Sequence, residues 1–287
     1  MDSVWINAPA KINIGLDVLR RREDGYHEVK MIMQSIRLFD RLTLTKTSEA
    51  GIHLHTNLRF LPVNEDNLVY RSAKLLMDEF GIQEGVDIRL DKRIPVAAGM
   101  AGGSTDAASC MLAMNDLFQL GLSKRALMKR GVTLGADIPY CILKGTALSE
   151  GIGEKLSTIP ETPDCYVLIA KPSFHVSTKF VYTNLVLDEH TEHPDIDGMI
   201  QSMKKNDLTG LCQQMANILE TVTIPAHPEI ADIKRCMMEN GALGSLMSGS
   251  GPTVFGIFDD LDKAAFAKEK CRSLPYKCFV FVTDLYR

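Results

Sequence analysis

The chain has 287 residues, 45% of them hydrophobic and 24% charged, and a formal net charge of -4. That length exceeds what one hydrophobic core usually organises, so two domains sharing a cleft are expected. The mild acidity, with signs interspersed, offers no basic stripe for nucleic acid and no like-charge tail. No apolar run approaches the ~20 residues of a membrane span, and the opening MDSVWINAPAKIN has no basic segment ahead of an apolar one. A cytoplasmic protein without nucleic-acid or membrane partners is therefore expected. Seven scattered cysteines without a CxxC pair read as reduced core thiols.

In chain order, the first element is a strand. Between Ala10 and Val18, Ile12, Ile14, Leu16 and Val18 alternate with Lys11, Asn13, Gly15 and Asp17, which puts Lys11 and Asn13 on one face. Further strands are predicted over Val29 to Arg37, Arg41 to Thr47, Gly51 to Thr56 and Val86 to Asp91. A helix is expected from about Asn67, with Val69, Ala73, Leu76 and Phe80 at helical spacing and Gly81 as its stop. Two more follow, from Ser104 to about Phe118 and from Ser123 to about Leu134.

Composition shifts at Glu161 to Asp164, and YVLIAKP at Tyr166 to Pro172 reads as the first strand of a second unit. Helical patterns then cover Ser177 to Leu185, Ile196 to Lys204, Leu208 to Glu220 and Pro228 to Asn240. Strands at Gly244 to Met247 and Thr253 to Phe258 flank the turn SGSGP, and a helix at Asp262 to Ser273 precedes a last strand at Cys278 to Thr283. The fold class is read as α+β, with domains at residues 1–160 and 161–287, the second an α/β sandwich of ferredoxin-like character.

Four segments carry chemistry. IPVAAGMAGGSTDA, Ile94 to Ala107, places a glycine turn directly before a helix that opens on hydroxyl residues. Gly99, Gly102 and Gly103 let an anion approach the backbone closely, while a helix start aims N–H groups and the positive end of its dipole at the same point. It is not a Walker A loop, since no Lys follows the glycines, and its glycine spacing is not that of a dinucleotide turn. Lys11 is a cation on the face it shares with Asn13. Asp137, in LGADIPYCI, is a carboxylate among apolar residues, readable as a base or as a turn or cap residue. SGSGPT, Ser248 to Thr253, is a second Gly/Ser loop, either a tight hairpin or part of a site. Cradle, cation and carboxylate together suit phosphoryl transfer, which needs phosphates held, charge neutralised and an attacking hydroxyl oriented or deprotonated. His53 and His55 share a strand face, but without a third ligand nearby no structural metal is assigned.

APAKINIGLDVLRRREDGYHEV at Ala8 to Val29, IPVAAGMAGGSTDAA, LGADIPY and LMSGSGPTVF together resemble the GHMP small-molecule kinases across nearly the whole chain. PAKIN with RRxDGYH is the more specific part and points to the branch acting on a cytidine diphosphate-linked methylerythritol. The resemblance implies a ribosomal-protein-S5-like first domain, residues 1–160, that binds ATP and carries catalysis, and a ferredoxin-like second domain. It implies ATP and Mg2+ as cofactors and phosphorylation of the 2-hydroxyl of that small-molecule substrate. Lys11 and Asp137 become the catalytic pair. The segment Pro95, Val96, Ala97, Ala98, Gly99, Met100, Ala101, Gly102, Gly103, Ser104 and Thr105 would wrap the ATP phosphates, with Asn67 near the nucleotide. Asn13 would help place the substrate, Tyr26 and His27 would belong to the cytidine site, and Tyr182 would cover the base.

Two departures stand out. Ala101 and Thr105 occupy positions where members often have glycine and serine; Thr105 keeps the hydroxyl, and Ala101 is expected at an ordinary backbone angle. Phe174 and His175 are bulkier than the usual pair. Another GHMP kinase, for mevalonate, homoserine or a sugar, or a non-catalytic nucleotide-binding protein of the same fold are the alternatives.

Overall fold

The computed structural model describes residues 2–287. Two compact units form, neither contiguous in sequence: one comprises the segment ending at Ala10 with Leu38–Val96 and Ala101–Lys144, the other Lys11–Arg37, Ala97–Met100 and Gly145–Arg287. The chain is shared because two long strands, β1 (Ser3–Arg21) and β2 (His27–Thr47), are each divided between them.

In the first unit, β3 (Ile52–Thr56) runs parallel to β4 (Gly85–Asp91), and β4 pairs antiparallel with the Arg41–Thr47 portion of β2. Four helices pack in this unit: α1 (Leu68–Phe80), α2 (Gly102–Leu117), α3 (Lys124–Gly131) and α4 (Ile138–Leu143), with α2 touching the other three. Helix α1 follows its sequence signals, Asn67 accepting from Val69 N at its start and Gly81 ending it at φ 63°.

In the second unit the Val29–Gln34 portion of β2 pairs antiparallel with β5 (Thr146–Gly151), which pairs with β6 (Lys155–Thr158). A separate antiparallel sheet has the order β10 (Cys278–Asp284), β7 (Tyr166–Pro172), β9 (Val254–Phe258), β8 (Gly244–Met247). Helices α9 (Glu229–Glu239) and α10 (Leu261–Arg272) pack on it and on each other. Every residue of β9 is buried, as expected of an apolar run covered on both faces. Helices α5 (Thr178–Asn184), α6 (Ile196–Lys204), α7 (Leu208–Gln214) and α8 (Glu220–Ala226) complete the unit. No helix among the described residues is long and apolar enough to cross a membrane, and none of the described cysteines is in a disulfide.

The α+β expectation holds, and the differences have local causes. The two strands read at Val29 to Arg37 and Arg41 to Thr47 are one, β2, because Asp40 continues the alternation of Ile36, Leu38, Leu42 and Leu44 on the buried side. A charge that looked like a break is an internal partner. The helix read over Leu208 to Glu220 ends early, at Gln214, because the residues that follow bond to β1: Leu16 N donates to Ala216 O at 3.0 Å and Ile218 N to Leu16 O at 3.0 Å. Helices α4 and α8 and the pair β5 and β6 were not expected.

Candidate active site

Strand β1 carries the first two site residues. Lys11 and Asn13 share a face as expected, and both are buried, Asn13 completely. The Lys11 ammonium donates to Asn13 Oδ1 at 2.7 Å and to the carbonyl of Gly99 at 3.1 Å, 88 residues along the chain, while Lys11 N donates to Met100 O at 3.2 Å. Asn13 Nδ2 faces Met31 Sδ at 3.5 Å. Asn13 thus holds the lysine directly. Gly99 has φ 71°, and a Cβ there would lie 2.2 Å from Ser248 O, so only glycine fits. Ala97, exposed, has φ 50°, while Ala98 and Met100 are buried.

In the first unit, Pro95 and Val96 are half-buried, and the backbone leading to them is gripped by Asp40, whose Oδ1 accepts from Arg93 N at 2.5 Å and Ile94 N at 2.8 Å. Asp40 Oδ2 also takes the ammonium of Lys92, which donates to Asp106 Oδ2 at 2.6 Å. The three charged side chains are almost wholly excluded from solvent. Burial drives the Asp106 carboxyl well above its ordinary value, with Asp40 adding to the rise and Lys92 opposing it. Sequence reading missed this triad; the available signal was a pair of charges, Asp40 and Lys92, each beside a strongly apolar stretch.

Helix α2 starts at Gly102 with no side-chain cap and no acidic residue in its first turn, so its N-terminal dipole is left for an outside anion. Gly103 is exposed and Ser104 half-buried, while Thr105 is fully buried with an unpartnered hydroxyl; Ser104 is therefore the hydroxyl nearer solvent. The expectation for Ala101 is corrected: it stands at φ 54°, a left-handed angle unfavourable by ~1–2 kcal/mol for a residue with a Cβ. Asn67 is the cap of α1, and its Nδ2 donates to Pro62 O at 2.8 Å, so both side-chain ends are engaged locally.

Asp137 occupies the N-cap position of α4 but makes no cap hydrogen bond, and Pro139 follows in the first turn. The cap explanation thus fails, leaving a half-buried carboxylate not engaged with the helix it opens. In the second unit, Tyr26 is exposed and its N donates to Asp24 Oδ1 at 3.1 Å, shaping the GYH turn, in which Gly25 has φ 85°. His27 and Tyr182, 155 positions apart in number, bring their rings to 5.1 Å between centroids at 41°. Burial first, and Arg21 second, lower the His27 pKa below 6.5, keeping its imidazole neutral at physiological pH. Phe174 stacks on His227 at 4.5 Å. Among the described residues no group of three or more His, Cys, Asp or Glu is arranged to hold a metal.

The family profile described as GHMP kinases N terminal domain matches residues 67–145, and that described as GHMP kinases C terminal matches residues 199–277. The chain is 53% identical over 286 residues to 4-diphosphocytidyl-2-C-methyl-D-erythritol kinase of Lachnoclostridium phytofermentans, covering 100% of this chain and 98% of that one. Among solved structures, a 4-(cytidine 5'-diphospho)-2C-methyl-D-erythritol kinase superposes with TM-score 0.84 at 32% identity, covering 99% of this chain and 100% of that chain. A homoserine kinase from Cytophaga hutchinsonii shares the fold, with TM-score 0.81 at 20% identity over 99% of this chain and 95% of its own. With both family profiles matched in order and a relative of this identity along its entire length, the chain belongs to the GHMP kinases.

Proposed function

We propose that this chain transfers the γ-phosphoryl group of ATP to the 2-hydroxyl of 4-diphosphocytidyl-2-C-methyl-D-erythritol, giving the 2-phosphate and ADP, in the cytoplasm. The observation that carries the reading is the His27–Tyr182 ring pair beside the GYH turn, in a chain related over its whole length to kinases of that name. A neutral imidazole can meet the polar edge of a base while a tyrosine ring covers its face, with Tyr26 at the rim. Residues 1–160 then form the ATP-binding and catalytic domain and residues 161–287 the second domain.

In this reading the segment Pro95 to Thr105 cradles the ATP phosphates, with Asn67 at the nucleotide's edge. The substrate 2-oxygen forms a bond to the γ-phosphorus, the bond to the β,γ-bridging oxygen breaks, and ADP leaves. Asp137 accepts the proton of the attacking hydroxyl. Lys11, oriented by Asn13, stabilises charge on the reacting oxygens as it develops. Mg2+ needs no all-protein cage, since it takes phosphate oxygens and one or two protein oxygens, and the hydroxyl of Ser104 at the start of α2 fits that donor set. When bound it neutralises phosphate charge.

The test is ADP release by the purified chain with the cytidine-linked substrate, against mevalonate, homoserine and a sugar as comparators. Turnover confined to the cytidine-linked alcohol is expected. Efficient phosphorylation of a comparator, with no binding of CDP or CMP at millimolar concentration, places the chain in another branch; ATP binding without any turnover makes it a non-catalytic binder.

A further inference from the structure

We infer that Ser248 is a positioning residue for Lys11, acting through the carbonyl oxygen of Gly99. The inference rests on the assignment of Lys11 to the reaction, and it gives the SGSGP loop a task of its own.

The Gly99 carbonyl accepts twice: from Lys11 Nζ at 3.1 Å and from Ser248 Oγ at 2.9 Å. A carbonyl oxygen has two lone pairs, so these donors fill it and fix its direction between them. Nothing regular fixes it otherwise, because Gly99 lies in a turn where Ala97, Gly99 and Ala101 all have positive φ. Two donors of the Lys11 ammonium go to Asn13 Oδ1 and this carbonyl, so the direction of the ammonium depends on where Gly99 O points. Asn13 is set by its strand. Gly99 O is set by Ser248.

Ser248 can serve as a fixed point because it is fully buried and its loop is braced on several sides. Ser248 N donates to Thr253 O at 2.9 Å, and Gly251 N to Ser248 O at 3.0 Å. Asn217 Nδ2 donates to both Met247 O and Gly249 O at 2.8 Å, and Glu220 Oε1 accepts from Met247 N at 2.8 Å. The loops also interlock sterically, since a Cβ on Gly249 would lie 3.2 Å from Gly99 O. The break between α7 and α8 supplies Asn217, and the first residue of α8 is Glu220, so that irregularity is part of the bracing.

The test is a kinetic cycle of Ser248→Ala, Lys11→Met and the double variant, using whichever alcohol the wild-type protein phosphorylates. Ser248→Ala is expected to lower kcat about tenfold, the size of one hydrogen bond, with KM for ATP and for the alcohol within about twofold. In the Lys11→Met background it should lower kcat by less than about twofold, because the group it positions is gone. The same loss in both backgrounds overturns the inference. A second measurement needs no activity: acylation of Lys11 by an N-hydroxysuccinimide ester, followed by peptide mass spectrometry on the full chain, should run faster in Ser248→Ala than in wild type, and equal rates overturn the inference. If wild type turns over no alcohol, the functional reading fails and the acylation rates still decide this one. Should Ser248→Ala not fold, Ser248→Cys, which keeps the side-chain shape with a weaker donor, takes its place in both measurements.

Discussion

Replacing Lys92 with methionine tests the buried triad. The Lys92 side chain is 4% exposed, and those of Asp40 and Asp106 are 0% and 3% exposed, so removing the ammonium strands two carboxyls where water cannot reach them. Breaking a buried ion pair from one side costs about 3–5 kcal/mol, because the remaining charge is uncompensated. Against a total stability of about 5–15 kcal/mol that is a large fraction, and at roughly 2–4 °C per kcal/mol it lowers Tm by about 6 to 20 °C. Thermal unfolding followed by circular dichroism measures it. The loss should depend on pH in a definite sense. The Asp106 pKa is already raised in the folded protein, so this carboxyl favours the folded state below its ordinary value of 3.8 and loses that contribution as pH rises through its folded value. Removing Lys92 takes away the opposing charge and raises the carboxyl further, so the deficit of Lys92→Met should be small near pH 4 and large near pH 8. A deficit below about 1 kcal/mol at pH 8, or one equal at both pH values, refutes the account of the triad.

Asp137→Asn should lower turnover on the order of 10²-fold or more while ATP binding persists, and Lys11→Met should lower kcat more than it raises KM; near-normal turnover of the first, or a change confined to substrate affinity in the second, removes that residue from its role. Gly99→Ala should disturb both stability and activity, since its Cβ would meet Ser248 O at 2.2 Å, whereas Gly103→Val should fold normally, its nearest neighbour being Leu68 at 3.7 Å, yet weaken ATP at least about tenfold by blocking phosphate approach. Calorimetry with unaltered ATP affinity in Gly103→Val would move the nucleotide elsewhere. Ala101→Gly should stabilise the protein by about 0.5–1 kcal/mol, the left-handed penalty less the greater chain entropy of glycine; an unchanged or lowered Tm contradicts the strained angle. Tyr182→Ala and His27→Ala should each reduce kcat/KM through substrate affinity, the first by on the order of 1–3 kcal/mol for a lost stacking contact, and CDP should compete with the substrate and not with ATP.

Sequence alone determined what depends on local periodicity and local backbone demand. The alternation around Lys11 placed it beside Asn13, the glycine turn announced the start of α2, and Asn67 with Gly81 bounded α1, because strand period, dipole and capping act over a few residues. The kinase motifs were likewise contiguous, so the resemblance could be seen without a fold. Tertiary structure decided whatever depends on distant partners. Asp40 fell in the gap between two predicted strands and Lys92 just past the end of another, until folding set them, with Asp106, in one buried cluster. Asn217 read as mid-helix because its carbonyl acceptors lie 30 and 32 residues away. The left-handed angle at Ala101 is one that alanine's own preference opposes, so nothing local announced it. The SGSGPT loop could be read as a hairpin or as part of a site, and the bond from Ser248 to a carbonyl 149 residues earlier exists only once that loop and the glycine turn are packed together.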